Sequence, residues 1–240
     1  MKKVFFVVPE GHNNCQLYTV NSYSRSFAAT VKEEKLFMDI SCLTEAVLGR
    51  LFIELEASGR HVHVTREQAM ALFGHALTPE RPLSQPGQFL SRERVTVKGP
   101  KGEFQNVAVL GPERKAGQVE ISLTDCRQLG LSAPVRLSGD IGGTPGALLL
   151  GPRGTVQLRE GVIVARRHVH LTPEAAERFG VAHGQTVRLR TFTDRPLIFE
   201  DVAVRVSPDF APYAHLDFDE ANACGFRKGD LGRLEPCGRC

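Results

Sequence analysis

One block of this sequence occurs twice. Residues 58–74 carry Arg60-His61-Val62-His63-Val64-Thr65, and residues 165–180 carry Arg167-His168-Val169-His170-Leu171-Thr172, with matching apolar positions behind each. The two copies stand 107 residues apart, which marks an internal duplication, so the chain is expected to fold as two similar units. Four of the eight histidines fall inside these blocks.

The histidines of each pair are two residues apart. In an extended strand such residues share one face, because side chains alternate sides. On a helix they would point about 200° apart, at ~100° per residue, and joint chelation would be difficult. Thr65 and Thr172 then stand as N-caps, Pro173 suits a first helical position, and Gly74 and Gly180 suit helix stops. Each block therefore reads as a strand presenting two imidazoles, followed by a short helix. Neutral imidazole is a preferred zinc ligand, so each pair makes half a metal site. A single His-x-His is as readily a polar strand face or a satisfied core pair; it is the repetition that argues for metal.

Later segments repeat as well. Residues 94–112 alternate as strands around the Gly99-Pro100-Lys101-Gly102 turn, and residues 187–208 do the same around Asp194-Arg195-Pro196. Short strands joined by Gly/Pro turns predict small barrels or sandwiches rather than a parallel α/β sheet. Beyond them, Glu120 precedes Gly130 by ten residues and His215 precedes Gly225 by ten, so the two occupy equivalent positions. Both residue types bind zinc. The expected sets are His61, His63 and Glu120 in one copy and His168, His170 and His215 in the other. Three protein ligands leave coordination positions open, as catalytic zinc sites do, whereas structural zinc is usually closed by four. Pseudo-symmetry can bring the sets together at the interface between units, giving two metals for one substrate.

Composition narrows the setting. With 42% hydrophobic and 24% charged residues the chain is ordinary for a soluble globular protein, and a net charge of +3 from interspersed residues makes no case for nucleic-acid binding. No apolar run reaches the ~18 residues of a membrane span, and the apolar start is too short for a secretory signal. The six cysteines are dispersed and fit no disulfide framework, and Cys237 with Cys240 forms a lone pair in the tail. The chain reads as cytoplasmic.

The expected divisions are a weakly ordered extension at 1–37, an amphipathic helix at 38–52 with Ile40, Leu43, Val47 and Leu51 on one face, a first barrel unit at 53–152 and a second at 153–240. The six glycines and two prolines of 139–154 suit the connection between units.

Taken in order, the two Arg-His-Val-His blocks, Val97-Lys98-Gly99-Pro100, Val109-Leu110-Gly111-Pro112, Gln118-Val119-Glu120-Ile121-Ser122, Pro134-Val135-Arg136-Leu137-Ser138-Gly139-Asp140 and His215-Leu216-Asp217-Phe218-Asp219-Glu220-Ala221-Asn222-Ala223 closely resemble the PduL-type phosphate propanoyltransferases over roughly residues 40–235. The resemblance implies two tandem β-barrels capped by short α-helices with a two-zinc site between them. It carries the metal ligands onto the six residues reached above from the duplication and a phosphate-contacting arginine onto Arg114. The implied reaction joins a short-chain acyl-CoA (propanoyl-CoA or acetyl-CoA) and orthophosphate to give acyl phosphate and free CoA, reversibly. It also implies a bacterial microcompartment setting, in which the 38–52 helix would either dock on shell or lumen proteins or serve as the entry helix that caps the first barrel, and assembly as a homo-oligomer.

Zinc would polarise the thioester, and the Arg114 guanidinium fork suits phosphate oxygens. No covalent acyl-enzyme is needed, so Cys126 and Cys224 read as core residues. Arg60 and Arg167 alternate with the histidines and read as ion-paired, with contact to CoA phosphates as the lesser alternative. His12, His75 and His183 match no ligand position. Two other readings share the same residues: a metal-dependent thioester hydrolase, which has little use for Arg114, and a metal-stabilised structural or binding module, against which three-ligand sets argue.

Overall fold

The computed structural model describes the backbone of residues 3–9, 14–21, 37–39 and 51–236, with side chains from 51 to 235. The chain divides into two compact units, 1–51 and 52–240. In the first, where weak order was expected, β1 (Lys3–Pro9) pairs antiparallel with β2 (Asn14–Asn21), and β2 pairs with β3 (Phe37–Asp39). Met38 and Asp39, expected to open an amphipathic helix, lie in β3; residues 40–50 of that expectation, and Cys237 and Cys240, lie outside the described residues.

The second unit is mainly β, as the duplication predicts. Its first copy runs β4 (Ile53–Ser58), β5 (His61–His63), α1 (Arg66–Phe73), β6 (Pro79–Pro82), β7 (Phe89–Lys98), β8 (Glu103–Gly111), β9 (Gln118–Ile121), α2 (Leu123–Leu129), β10 (Val135–Arg136), β11 (Leu148–Leu150) and β12 (Thr155–Gln157). The second runs β13 (Val162–Ala165), β14 (His168–Leu171), α3 (Pro173–Phe179), β15 (Thr186–Phe192), β16 (Ile198–Val206), β17 (Tyr213–Asp217), α4 (Phe218–Cys224) and β18 (Leu231–Pro236).

Local chemistry sets the helices as expected. Thr65 closes a capping box with Gln68, Thr172 accepts from the Ala175 amide ahead of Pro173, and Gly74 and Gly180 end their helices in the left-handed conformation at φ 84° and 66°. These four helices have seven or eight residues each, too short to persist without packing.

The sheets follow a less local rule. One is a closed six-stranded barrel in the order β14-β16-β15-β18-β4-β17; the other is a nine-stranded half-barrel, β10-β13-β9-β5-β8-β7-β11-β12, with β6 on β7. The strand preceding each histidine block pairs in the opposite copy: β4 lies parallel to β17 in the closed barrel, and β13 lies parallel to β9 in the half-barrel. The strands therefore do not sort by the expected 152/153 boundary: β4 and β13 cross it reciprocally, and β12, beyond it, pairs with β11 in the half-barrel. β18 occupies the other edge of β4 and closes the barrel, while β10 occupies the other edge of β13 and leaves its sheet open.

The cores record the same exchange. Ile53 and Leu55 of β4 are buried with Val169, Leu171, Val187, Leu189, Val204 and Leu216, whereas Val162 and Val164 of β13 are buried with Val62, Val109, Val119 and Leu149. Leu55→Ala is therefore expected to remove about 2–5 kcal/mol from the stability of the closed barrel, read as a lower urea midpoint. A midpoint equal to the parent's would contradict this packing.

Candidate metal centre

Strand alternation aims the histidines. In β5, Val62 faces the core while His61 and His63 turn to the other side, all three buried. In β14, Val169 does the same between His168 and His170. Antiparallel pairing then sets the third residue opposite: Glu120 of β9 faces His61, and His215 of β17 faces His168. Sequence equivalence of Glu120 and His215 is thus equivalence of register.

Each expected set is assembled. Within each, the ligand atoms lie within 4.8 Å of one another. The Nε2 atoms of His61 and His63 are 3.6 and 3.7 Å from Glu120 Oε1. The rings of His168, His170 and His215 lie with centroids 4.6 to 4.9 Å apart. Outer partners fix ring orientation: His61 Nδ1 lies 2.8 Å from the Gly59 carbonyl, His168 Nδ1 2.8 Å from the Arg166 carbonyl, and His63 Nδ1 3.2 Å from the Leu110 carbonyl. If these Nδ1 atoms donate, the Nε2 lone pairs are left for an ion, as in histidine–metal sites generally.

Burial also leaves polar atoms that ask for a partner. Both ring nitrogens of His170 and Nε2 of His215 are buried with no hydrogen-bond partner. An unpaired buried polar atom costs about 1–3 kcal/mol, and a divalent ion between the rings would satisfy His215 Nε2 and one of the two His170 nitrogens. The donor sets, imidazole with one carboxylate and imidazole alone, suit zinc.

The electrostatics favour neutral imidazoles at His63, His168, His170 and His215. Burial, reinforced by His168 and then Arg205, pushes His170 down to about 3. Burial and the neighbouring charges of His168 and His170 hold His215 well below the usual imidazole range, burial with the charges of His61 and Arg114 does so for His63, and burial lowers His168. Burial opposes the charged forms of His61 and Glu120 too, but their mutual attraction prevails, so His61 is raised and Glu120 is held far below ordinary carboxylates. Glu120 also acts on all three histidines of the other set, so the two sets share one field.

These shifts give a signed expectation for metal-free protein. Below about pH 6.5 the unfolded chain takes protons that His63, His168, His170 and His215 refuse, so stability falls with falling pH. The depressed Glu120 acts in the same direction below about pH 4.5. His61 acts oppositely: its raised value stabilises below pH 6.5, and that is lost as pH rises. Four against one, the urea midpoint of chelator-treated protein is expected to be lower at pH 5.5 than at pH 7.5. An equal or higher midpoint at pH 5.5 would contradict the burial of these rings.

Arg114 lies beside the first set. Its Nη1 donates to Ser138 Oγ at 2.9 Å, Ser138 Oγ donates to Glu120 Oε1 at 2.7 Å, and Gln118 Nε2 donates to both of those oxygens. A second guanidinium, Arg205, escaped the sequence reading. It sits on β16 directly beside His170 in the parallel register and bears electrostatically on the second set and on Arg114. The duplication gave no hint of it, because the β5–β8 register that pairs His61 with Ala108 and Val62 with Val109 leads next to Leu110, an apolar residue. Ser138 and Gln118 stood in quoted motifs without a role.

The remaining residues resolve simply. Arg60 forks onto Asp125 through Nε and Nη2 (3.1 and 2.8 Å) and stacks over Phe104, and Arg167 donates to Glu220 at 2.7 Å, so both are ion-paired. Cys126 and Cys224 are buried core thiols whose pKa burial raises, the opposite of an activated nucleophile. His183 Nδ1 accepts from the Val206 amide, His75 contacts the Ala76 carbonyl, and His12 lies outside the described residues. Among the described residues no helix is long and apolar enough to cross a membrane.

Comparison with known proteins agrees with this geometry. Residues 54–227 match the family model for phosphate propanoyltransferase. The phosphate propanoyltransferase of Listeria monocytogenes is 55% identical over 201 residues, covering 81% of this chain and 94% of the relative. Those of Enterococcus faecalis and Thermotoga maritima are 56% and 51% identical, covering 75% and 72% of this chain and 87% and 84% of their own lengths. Duplicated strands, paired three-ligand sets and matched sequence converge, and the chain belongs to the phosphate propanoyltransferase family of acyltransferases.

Proposed function

We propose that this protein transfers a short acyl group, propanoyl or acetyl, between CoA and orthophosphate at a two-zinc centre held by His61, His63 and Glu120 and by His168, His170 and His215. The observation that carries the reading is the pair of equivalent three-ligand sets with a guanidinium beside each. Bound zinc would supply Lewis acidity, polarising the thioester carbonyl and neutralising phosphate charge.

The protein's own groups do the positioning. Arg114 offers a planar fork to phosphate oxygens, anchored through Ser138 on the same network that orients Glu120. Arg205 adds a second positive charge on the side of the three-histidine set. Together they would hold a dianion against a carbonyl it would otherwise approach against charge repulsion, and fixing both reactants supplies acceleration through proximity. A phosphate oxygen forms the new bond to the acyl carbon, the carbon–sulfur bond breaks, and CoA leaves as the thiolate. The sequence of bonds runs backwards equally well.

CoA release from propanoyl-CoA, followed with a thiol reagent with and without orthophosphate, tests this reading. Release that requires phosphate and stops on chelation is expected. Equal release without phosphate would assign a thioester hydrolase, and no release from metal-replete protein would leave a metal-stabilised binding module. Assembly as a homo-oligomer, location in a microcompartment and docking through residues 38–52 belong to the same proposal, and the mass of the native assembly tests the first.

A further inference from the structure

The two ligand sets are equivalent in position but not in charge. The first contains the carboxylate of Glu120, while the second holds three imidazoles. The strand exchange supplies the difference. On the half-barrel side, the residue of exchanged β13 beside Glu120 is Ile163, fully buried. On the closed-barrel side, the residue of exchanged β4 beside His215 is Glu56, at the equivalent position.

Glu56 Oε2 lies 3.3 Å from His215 Nδ1 and accepts a hydrogen bond from Ser84 Oγ at 2.5 Å. His215 Nε2, at the far side of the ring, is buried without a partner and belongs to the three-histidine set. A neutral imidazole carries one N–H. A carboxylate at Nδ1 draws the proton there and leaves the Nε2 lone pair for an ion; it also makes that lone pair more basic. His168 has a backbone carbonyl in this role, whereas neither nitrogen of His170 has a hydrogen-bond partner.

We infer that Glu56 is a positioning residue for the three-histidine set: carried in on the exchanged strand and braced by Ser84, it sets the tautomer of His215 and so the affinity of that set for zinc. The inference rests on the two-zinc reading above. It gives each set one carboxylate, as a ligand in the first and behind a ligand in the second. Glu56 contacts neither substrate nor reacting atoms in this scheme.

The test measures zinc affinity by competition with a chromogenic chelator, on the full chain and without reference to turnover. Glu56→Leu in a His61→Ala background, where the three-histidine set is the only complete one, is expected to bind zinc about 10–100-fold more weakly than His61→Ala alone. Glu56→Gln keeps an acceptor without the charge and is expected to lie between. In a His168→Ala background, where only the Glu120 set is complete, Glu56→Leu is expected to change nothing, and urea midpoints report that the barrel survives. Unchanged affinity in the His61→Ala background, or equal losses in both backgrounds, overturns the assignment while leaving the two-zinc reading intact. A parent chain that takes up no zinc overturns the two-zinc reading, and this inference with it.

Discussion

His168→Ala is expected to lower bound zinc from two ions to one and to reduce acyl transfer at least a hundredfold. The reasoning compares two kinds of loss. Removing an outer partner of a metal ligand typically costs 10–100-fold in affinity or activity, so removing a ligand from a set of three is expected to cost more. The alanine should also relieve burial of one imidazole, so the metal-free fold is not expected to suffer. His215→Ala removes the ligand across the ladder from His168 and should behave alike. Metal content by elemental analysis, CoA release and a urea midpoint on one preparation decide the matter. Full activity with one ion, or loss of fold along with metal, would oppose the assigned role.

Arg114→Ala is expected to reduce phosphate-dependent CoA release by about 10²–10³-fold, the scale on which removal of one preorganised donor acts. Zinc content should change little, because Arg114 reaches Glu120 only through Ser138. Arg114→Lys keeps the charge but loses the planar fork, so partial recovery is expected, mainly at high phosphate. Near-parental turnover in Arg114→Ala would move phosphate recognition to Arg205.

Much of the grouping of the candidate metal-binding residues was legible in the sequence because its rules are local. Period-2 alternation placed both histidines of each block on one face, caps and glycines bounded the helices, and the duplication matched Glu120 to His215. What escaped was non-local or unique to one copy. Nothing in residues 53–58 says that their hydrogen bonds lie with 213–217, since an alternating strand fits either barrel. Arg205 and Glu56 stand where the other copy has Leu110 and Ile163, so a comparison of the copies hides them. The periodicity read as a helix from residue 38 gives way at Met38 and Asp39 to strand.

The reciprocal crossing of β4 and β13 is the arrangement that two identical chains adopt when they trade an arm across a two-fold axis. A single-copy chain would reach it only by pairing with itself, and every position of the centre would then appear twice. Glutamate at the third-ligand position would mean two glutamates, and an arginine beside one histidine would require an arginine beside its mate. Covalent fusion lifts that constraint. Glu120 can differ from His215, Glu56 from Ile163 and Arg205 from Leu110, so the two candidate sets acquire different chemistry, which suits a reaction between two unlike substrates.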